Sequence, residues 1–162
     1  MSWVEWASVL KLSCMWQMTK VHEMAVQKIL ELQNEADTEC QEDLLRLSNK
    51  LGVTKIRDRA IEILSGAYAK PIEWIQHGME FQVDSWLLDG YKQLVQAQAG
   101  ISVEDEELLG QKTTSKLFRI RDAYLRYGKY YNRYNFTLFE DTTDQIKKAF
   151  SEELEAAVWV GN

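Results

Sequence analysis

A single proline, Pro71, interrupts 162 residues, and only eight glycines accompany it. Proline and glycine are the residues that reverse a chain sharply, and a sheet needs such a reversal every few residues. The positions between are rich in Glu, Lys, Gln, Ala and Leu, which favour helix, and most of which are poor in strands. The chain is therefore expected to be all-α. Its 46% hydrophobic and 27% charged residues are globular fractions. Its length fits one domain, or one domain's worth of a larger protein.

Helical periodicity supplies the elements. Ser2 and Glu5 make a capping-box pattern, and Trp6, Val9, Leu10 and Ser13 follow at helical spacing, with Trp16 and Met18 closing the segment. A second helix starts near Thr19 and carries Val21, Met24, Ala25, Ile29 and Leu32 on one face, and Gln33 to Asp37 reads as a connection. Thr38 with Gln41 is expected to cap a third helix that Gly52 ends in the left-handed conformation, and Thr54 to cap a fourth. Pro71 suits the first turn of a fifth, in which Gly78 is a weakening residue, and Asp84 reads as the cap of a sixth. Ser102 starts a short helix whose first turns hold Glu104–Glu107, where the helix dipole favours negative charge. A longer helix runs from after Gly110 to about Tyr134, periodicity lapses over Asn135–Thr143, and a last helix spans Asp144–Trp159.

About eight helices joined by short turns predict mostly antiparallel neighbours. No fixed-period repeat is evident, which favours an irregular multi-helix bundle over a regular solenoid.

Nineteen basic against 25 acidic side chains give a net charge of −6, which argues against wholesale binding of nucleic acid or of an anionic membrane. No apolar run approaches the ~18 residues of a membrane span, and Met1–Met18 lacks the features of a secretory signal. Cys14 and Cys40 are too few for a disulfide framework, so a reducing intracellular location, cytoplasm or nucleus, is expected.

Little in the chain carries chemistry. Cys14, Met18 and His22 step by four residues, yet they supply one thiolate and one imidazole, and a helix break near Met18 is expected to disrupt their alignment. Cys40 lies in a capping turn without a neighbouring histidine, and His77 has no evident partner. No phosphate-binding glycine loop is present. The expectation is no catalytic residue, no cofactor and no metal site.

Two features instead point to partners. In Lys116–Tyr134, the basic residues Lys116, Arg119, Arg121, Arg126, Lys129 and Arg133 face a single acid, Asp122, with Arg119, Arg126 and Arg133 nearly in line. Basic residues interleaved with tyrosines such as Tyr127 suit phosphates and bases. The bland alternative packs the tyrosines inward and pairs the arginines with Glu104–Glu107 or Glu152–Glu155, and the acidic balance favours it. The six tryptophans mostly fall at buried helical positions, but Trp3 and Trp6 have little upstream chain to cover them and are expected to be exposed partner anchors.

The stretch Trp6-Ala-Ser-Val-Leu-Lys-Leu-Ser-Cys-Met-Trp-Gln-Met18, followed by Val21 and by Ala25 through Ile29, resembles the closing helix pair of fungal BTB/POZ domain proteins, abundant in mushroom-forming fungi. Leu51 through Ile56, Ala60, Trp86 through Leu88, Tyr91, Leu94, Ile101-Ser102, Leu109-Gly110 and Leu117 through Arg121 resemble the helical extension of the same family. The resemblance covers about residues 3–122, with no parallel from Ala123 onward, and the chain is expected to divide into a helix pair at 3–33, a helical extension at 37–134 and a tail with one helix at 135–162. The strands of a complete BTB domain have no counterpart before Trp3, so a shortened gene product or a fragmentary gene model is expected. The resemblance implies a non-catalytic adaptor that binds protein partners, with a cullin-type scaffold or self-association tied to the missing strand-bearing portion. The alternative is a nucleic-acid-binding helical protein using residues 116–134.

Overall fold

The capping box forms as the sequence predicts: Ser2 Oγ accepts the Glu5 N–H at 3.4 Å, and the Glu5 carboxylate accepts the Ser2 N–H at 2.6 Å. It opens α1 (Trp3–Met15), and nine further helices follow among the described residues of this computed structural model: α2 (Thr19–Gln33), α3 (Thr38–Leu51), α4 (Thr54–Leu64), α5 (Pro71–Phe81), α6 (Asp84–Gln96), α7 (Val103–Leu109), α8 (Gln111–Tyr131), α9 (Leu138–Ala149) and α10 (Ser151–Ala156). The structure describes residues 2–131 and 138–160, with side chains over 2–126 and 142–160. The protein is all-α there, apart from an isolated antiparallel bridge between Val83 and Val158. Two compact units divide it between Tyr68 and Ala69, within the stretch 37–134 expected to form one helical extension.

In the unit of α1–α4, α1 packs on α2, α3 on α4, and α2 on α4. Leu10, Ala25, Ile29, Leu44 and Ile56 form its core. Fully burying each leucine or isoleucine contributes roughly 1.5–3 kcal/mol. Gln33 is buried rather than part of a polar link: its amide donates to Gln41 Oε1 and to the Ile56 carbonyl, both at 3.2 Å. In the unit of α5–α10, α5 and α6 pair closely, and α8 and α9 lie against α6. Leu87, Tyr91, Val95, Leu117, Ile146 and Phe150 centre that core, with the Tyr91 and Phe150 rings stacked at 4.1 Å between centroids.

Three connections are the same turn. Gln17, Gly52 and Gln82 adopt left-handed backbone, with φ of 53°, 72° and 56°. The next residue then donates its N–H to the carbonyl five positions back: Met18 to Ser13 at 2.9 Å, Val53 to Ser48 at 3.0 Å, Val83 to Gly78 at 2.9 Å. This is the long bond of a Schellman-type helix end. The same residue is also the N-cap of the following helix.

Buried residues recur around this turn at fixed offsets. Leu10, Leu45 and Ile75 precede the small residue Ser13, Ser48 or Gly78 by three. Ala25, Ala60 and Gly90 follow the junction by seven, and Ile29, Leu64 and Leu94 come four later. Small residues stand where two helices leaving a tight turn press together, and large ones where they diverge. The three copies occupy residues 10–29, 45–64 and 75–94. Their unequal separation, and glutamine in two of three left-handed positions, hide them from a search at fixed period.

Several local expectations are corrected. Asp37, not Thr38, caps α3, its carboxylate accepting the Cys40 N–H at 2.8 Å. Val53 and Val83, not Thr54 and Asp84, are the N-caps of α4 and α6, because the Schellman-type turn leaves only two residues, one left-handed and one capping, between one helix and the next. Helix α9 begins at Leu138, inside the stretch where periodicity lapses, and the single helix expected over 144–159 is two, broken at Phe150. Ten helices therefore stand among the described residues where about eight are expected.

Candidate interaction surface

The first Schellman-type turn decides what the end of α1 exposes. Gln17 donates to Cys14 O and Met18 to Ser13 O, so the chain reverses within two residues and α2 departs alongside α1. Ser13 faces inward at this crossing, its hydroxyl bonded to Leu10 O at 2.8 Å. The residues around it are turned outward: Leu12 is 44% exposed, Met15 74%, Trp16 66% and Met18 44%. Leu12, Met15 and Trp16 share a helical face by their spacing of three and four. Single exposed apolar residues are ordinary on a surface, whereas four within seven positions, including an indole, form a patch.

Trp3 and Trp6 are not this surface. Both are half-buried and pack on the core of the α1–α4 unit. Trp3 also lines a cleft of about 500 Å³ with Leu32, Ala36, Asp37 and Cys40. Trp86 is buried as expected, while Trp16 departs from the expectation of burial. The signal for it was present: Met15, Trp16 and Met18 crowd a helix end, where opposite faces of a helix cannot all point to one core.

Helix α8 packs Leu117, Ile120 and Tyr124 inward. Its cations serve mostly intramolecular contacts. Lys116 Nζ bonds Glu153 Oε1 at 3.0 Å and lies 4.8 Å from the Phe150 ring centroid. Arg121 donates to the carbonyls of Val95 at 2.8 Å and of Leu94 and Gln98 at 3.4 Å, closing the C-terminal end of α6. Arg126 pairs with Asp122 at 2.6 Å, and Arg119 is exposed. The contact with the Glu152–Glu155 region is thus made by Lys116, where the expectation placed the arginines. The side chains of Tyr127 and Lys129, and Arg133 entirely, lie outside the described residues.

The Lys116–Glu153 pair neighbours Tyr91. Burial pushes the Glu153 carboxyl up, but the Lys116 hydrogen bond, a backbone hydrogen bond and the charges of Lys116 and Lys112 outweigh it, leaving it below the ordinary value. Burial, then the Glu153 charge, drives the Tyr91 phenol well above its ordinary range, and its hydroxyl has no hydrogen-bond partner among the described residues.

Cys14 Sγ lies 3.5 Å from His22 Nδ1. The break at Met18, expected to separate these residues, is what brings them together: it folds α2 back along α1. Met18 itself is exposed, and among the described residues no three His, Cys, Asp or Glu side chains group as a metal site. Cys40 is buried, and burial first, then Asp37 and Asp43, pushes its thiol up to about 11. No described helix is long and apolar enough to cross a membrane. Comparison with protein-family models, with curated proteins and with solved structures finds no match for this chain.

Proposed function

We propose that this chain is a non-catalytic protein–protein interaction module of the BTB-adaptor type, which docks a segment of another polypeptide on Leu12, Met15, Trp16 and Met18. The observation that carries the reading is the 66% exposure of Trp16 beside the 74% exposure of Met15 at one helix end. Tryptophan buried at the centre of an interface commonly contributes 2 kcal/mol or more, and methionine adapts its shape to a partner. The resemblance of residues 6–29 to the closing helix pair of fungal BTB/POZ proteins adds the adaptor role. Protein is favoured over nucleic acid because Lys116, Arg121 and Arg126 already contact acceptors within the chain.

A photo-crosslinking amino acid at Met15, in cells expressing the full chain, identifies the partner. Binding of that purified partner is then measured for the unsubstituted chain and for Trp16→Glu, with helicity checked by circular dichroism. The expected loss is about 30-fold. Unchanged affinity in both Trp16→Glu and Met15→Glu, with helicity retained, refutes the surface.

A further inference from the structure

We propose that Cys14 and His22 form a reactive thiol site that undergoes thiol–disulfide exchange with a low-molecular-weight disulfide such as glutathione disulfide. The proposal is independent of the docking surface and rests on the α1–α2 turn.

The Sγ···Nδ1 separation of 3.5 Å is a sulfur hydrogen bond, and in the imidazole tautomer that carries its proton on Nε2 the Nδ1 atom accepts the thiol proton. Both residues are held by the turn itself: Cys14 O accepts the Gln17 N–H at 3.4 Å, and the His22 N–H donates to Met18 O at 2.9 Å. The equivalent positions also meet in the second hairpin. In the second copy they are Asn49 and Arg57, joined at 2.8 Å. The third copy has Met79 and Leu87 there. Only the first copy fills the pair with a nucleophile and a base. Cys14 is partly exposed, so a small disulfide reaches it. His22 also lines a cleft of about 640 Å³ with Val26, Leu30 and Val53, which gives the imidazole a path to solvent.

In the exchange, the imidazole takes the thiol proton and the thiolate attacks one sulfur of the disulfide. A bond forms between Cys14 Sγ and that sulfur, and the original S–S bond breaks. The departing thiolate leaves with the electron pair and takes the proton from the imidazolium, so one thiol is consumed and one released. Cys40 is the internal control: it is buried, beside Asp37 and Asp43, and its pKa stands at about 11. Thiols of that kind react slowly.

The test incubates the full native chain with glutathione disulfide at pH 7 and follows each cysteine by peptide mass mapping. Cys14 is expected to form the mixed disulfide at least about tenfold faster than Cys40, and faster in the native chain than in urea. His22→Gln should slow Cys14 about tenfold while leaving its rate in urea unchanged. His22→Asn serves if His22→Gln loses helicity, since a short amide keeps a hydrogen-bonding atom near the thiol without serving as a base. Equal native rates for the two cysteines, slower native than unfolded reaction of Cys14, or no effect of either His22 variant overturns the proposal.

Discussion

Gly90→Ala tests the claim that small residues at the hairpin crossing are demanded by packing. In an isolated helix this change stabilises by about 1 kcal/mol, because glycine is the more flexible residue in the unfolded chain. Here a Cβ on Gly90 would sit 2.6 Å from Ile75 Cγ1, 2.9 Å from the Pro71 carbonyl oxygen and 3.2 Å from the Ile75 nitrogen. Favourable carbon contacts lie at about 3.5–4.0 Å. Two of the three atoms are backbone, so α5 must move away from α6 rather than a side chain swing aside. Overpacking of that kind costs about 1–3 kcal/mol and loosens the Ile75–Leu87 contacts besides. The net expectation is a loss of about 1–2 kcal/mol, or a fall of about 2–8 °C in Tm for a chain of this length. Calorimetry and urea unfolding at constant m measure it. Ala60→Gly is the mirror experiment, since Ala60 fills the same position of the second hairpin in full burial. It should also destabilise, by about 1–2 kcal/mol, through lost propensity and a lost methyl group. A Gly90→Ala protein more stable than its parent refutes the reasoning.

At the left-handed positions the sign reverses. Gln17→Gly and Gln82→Gly each relieve backbone strain of about 1–2 kcal/mol against an unfolded-state cost of about 0.4–1, so each should stabilise by about 0.5–1 kcal/mol, whereas Gly52→Ala should destabilise; urea midpoints decide. Glu153 is held below its ordinary value when folded, so its contribution is present above the unfolded carboxyl value near ~4.3 and is lost as pH falls through the folded one. Glu153→Gln should therefore lower Tm most at neutral pH, with the deficit shrinking in acid; a deficit that grows below pH ~4 contradicts the assignment. The raised Tyr91 phenol works in the opposite sense, its contribution intact below ~10 and lost as pH rises. Tyr91→Phe, which removes a buried hydroxyl without a partner among the described residues, should be within about 1 kcal/mol of the parent at pH 7 and less sensitive to alkali in thermal melts.

The sequence by itself determined what is local. One proline, few glycines and the spacing of residues such as Leu10, Ile29, Leu44, Ile56, Leu87 and Ile120 are enough for an all-α chain with helix starts near Ser2, Thr19, Pro71 and Ser102, because a helix bonds within itself and shows its buried face every three to four positions. Tertiary structure decided what depends on direction. Whether Trp6 or Trp16 meets solvent turns on where one helix ends and the next begins, and Gln17 in left-handed backbone is not a residue that announces such an end. The Cys14–His22 contact likewise required a chain reversal, since the two residues meet across a turn and not along a helix. The threefold hairpin lay in the letters throughout, but its meaning came from helix crossings, where a missing side chain counts for more than a present one.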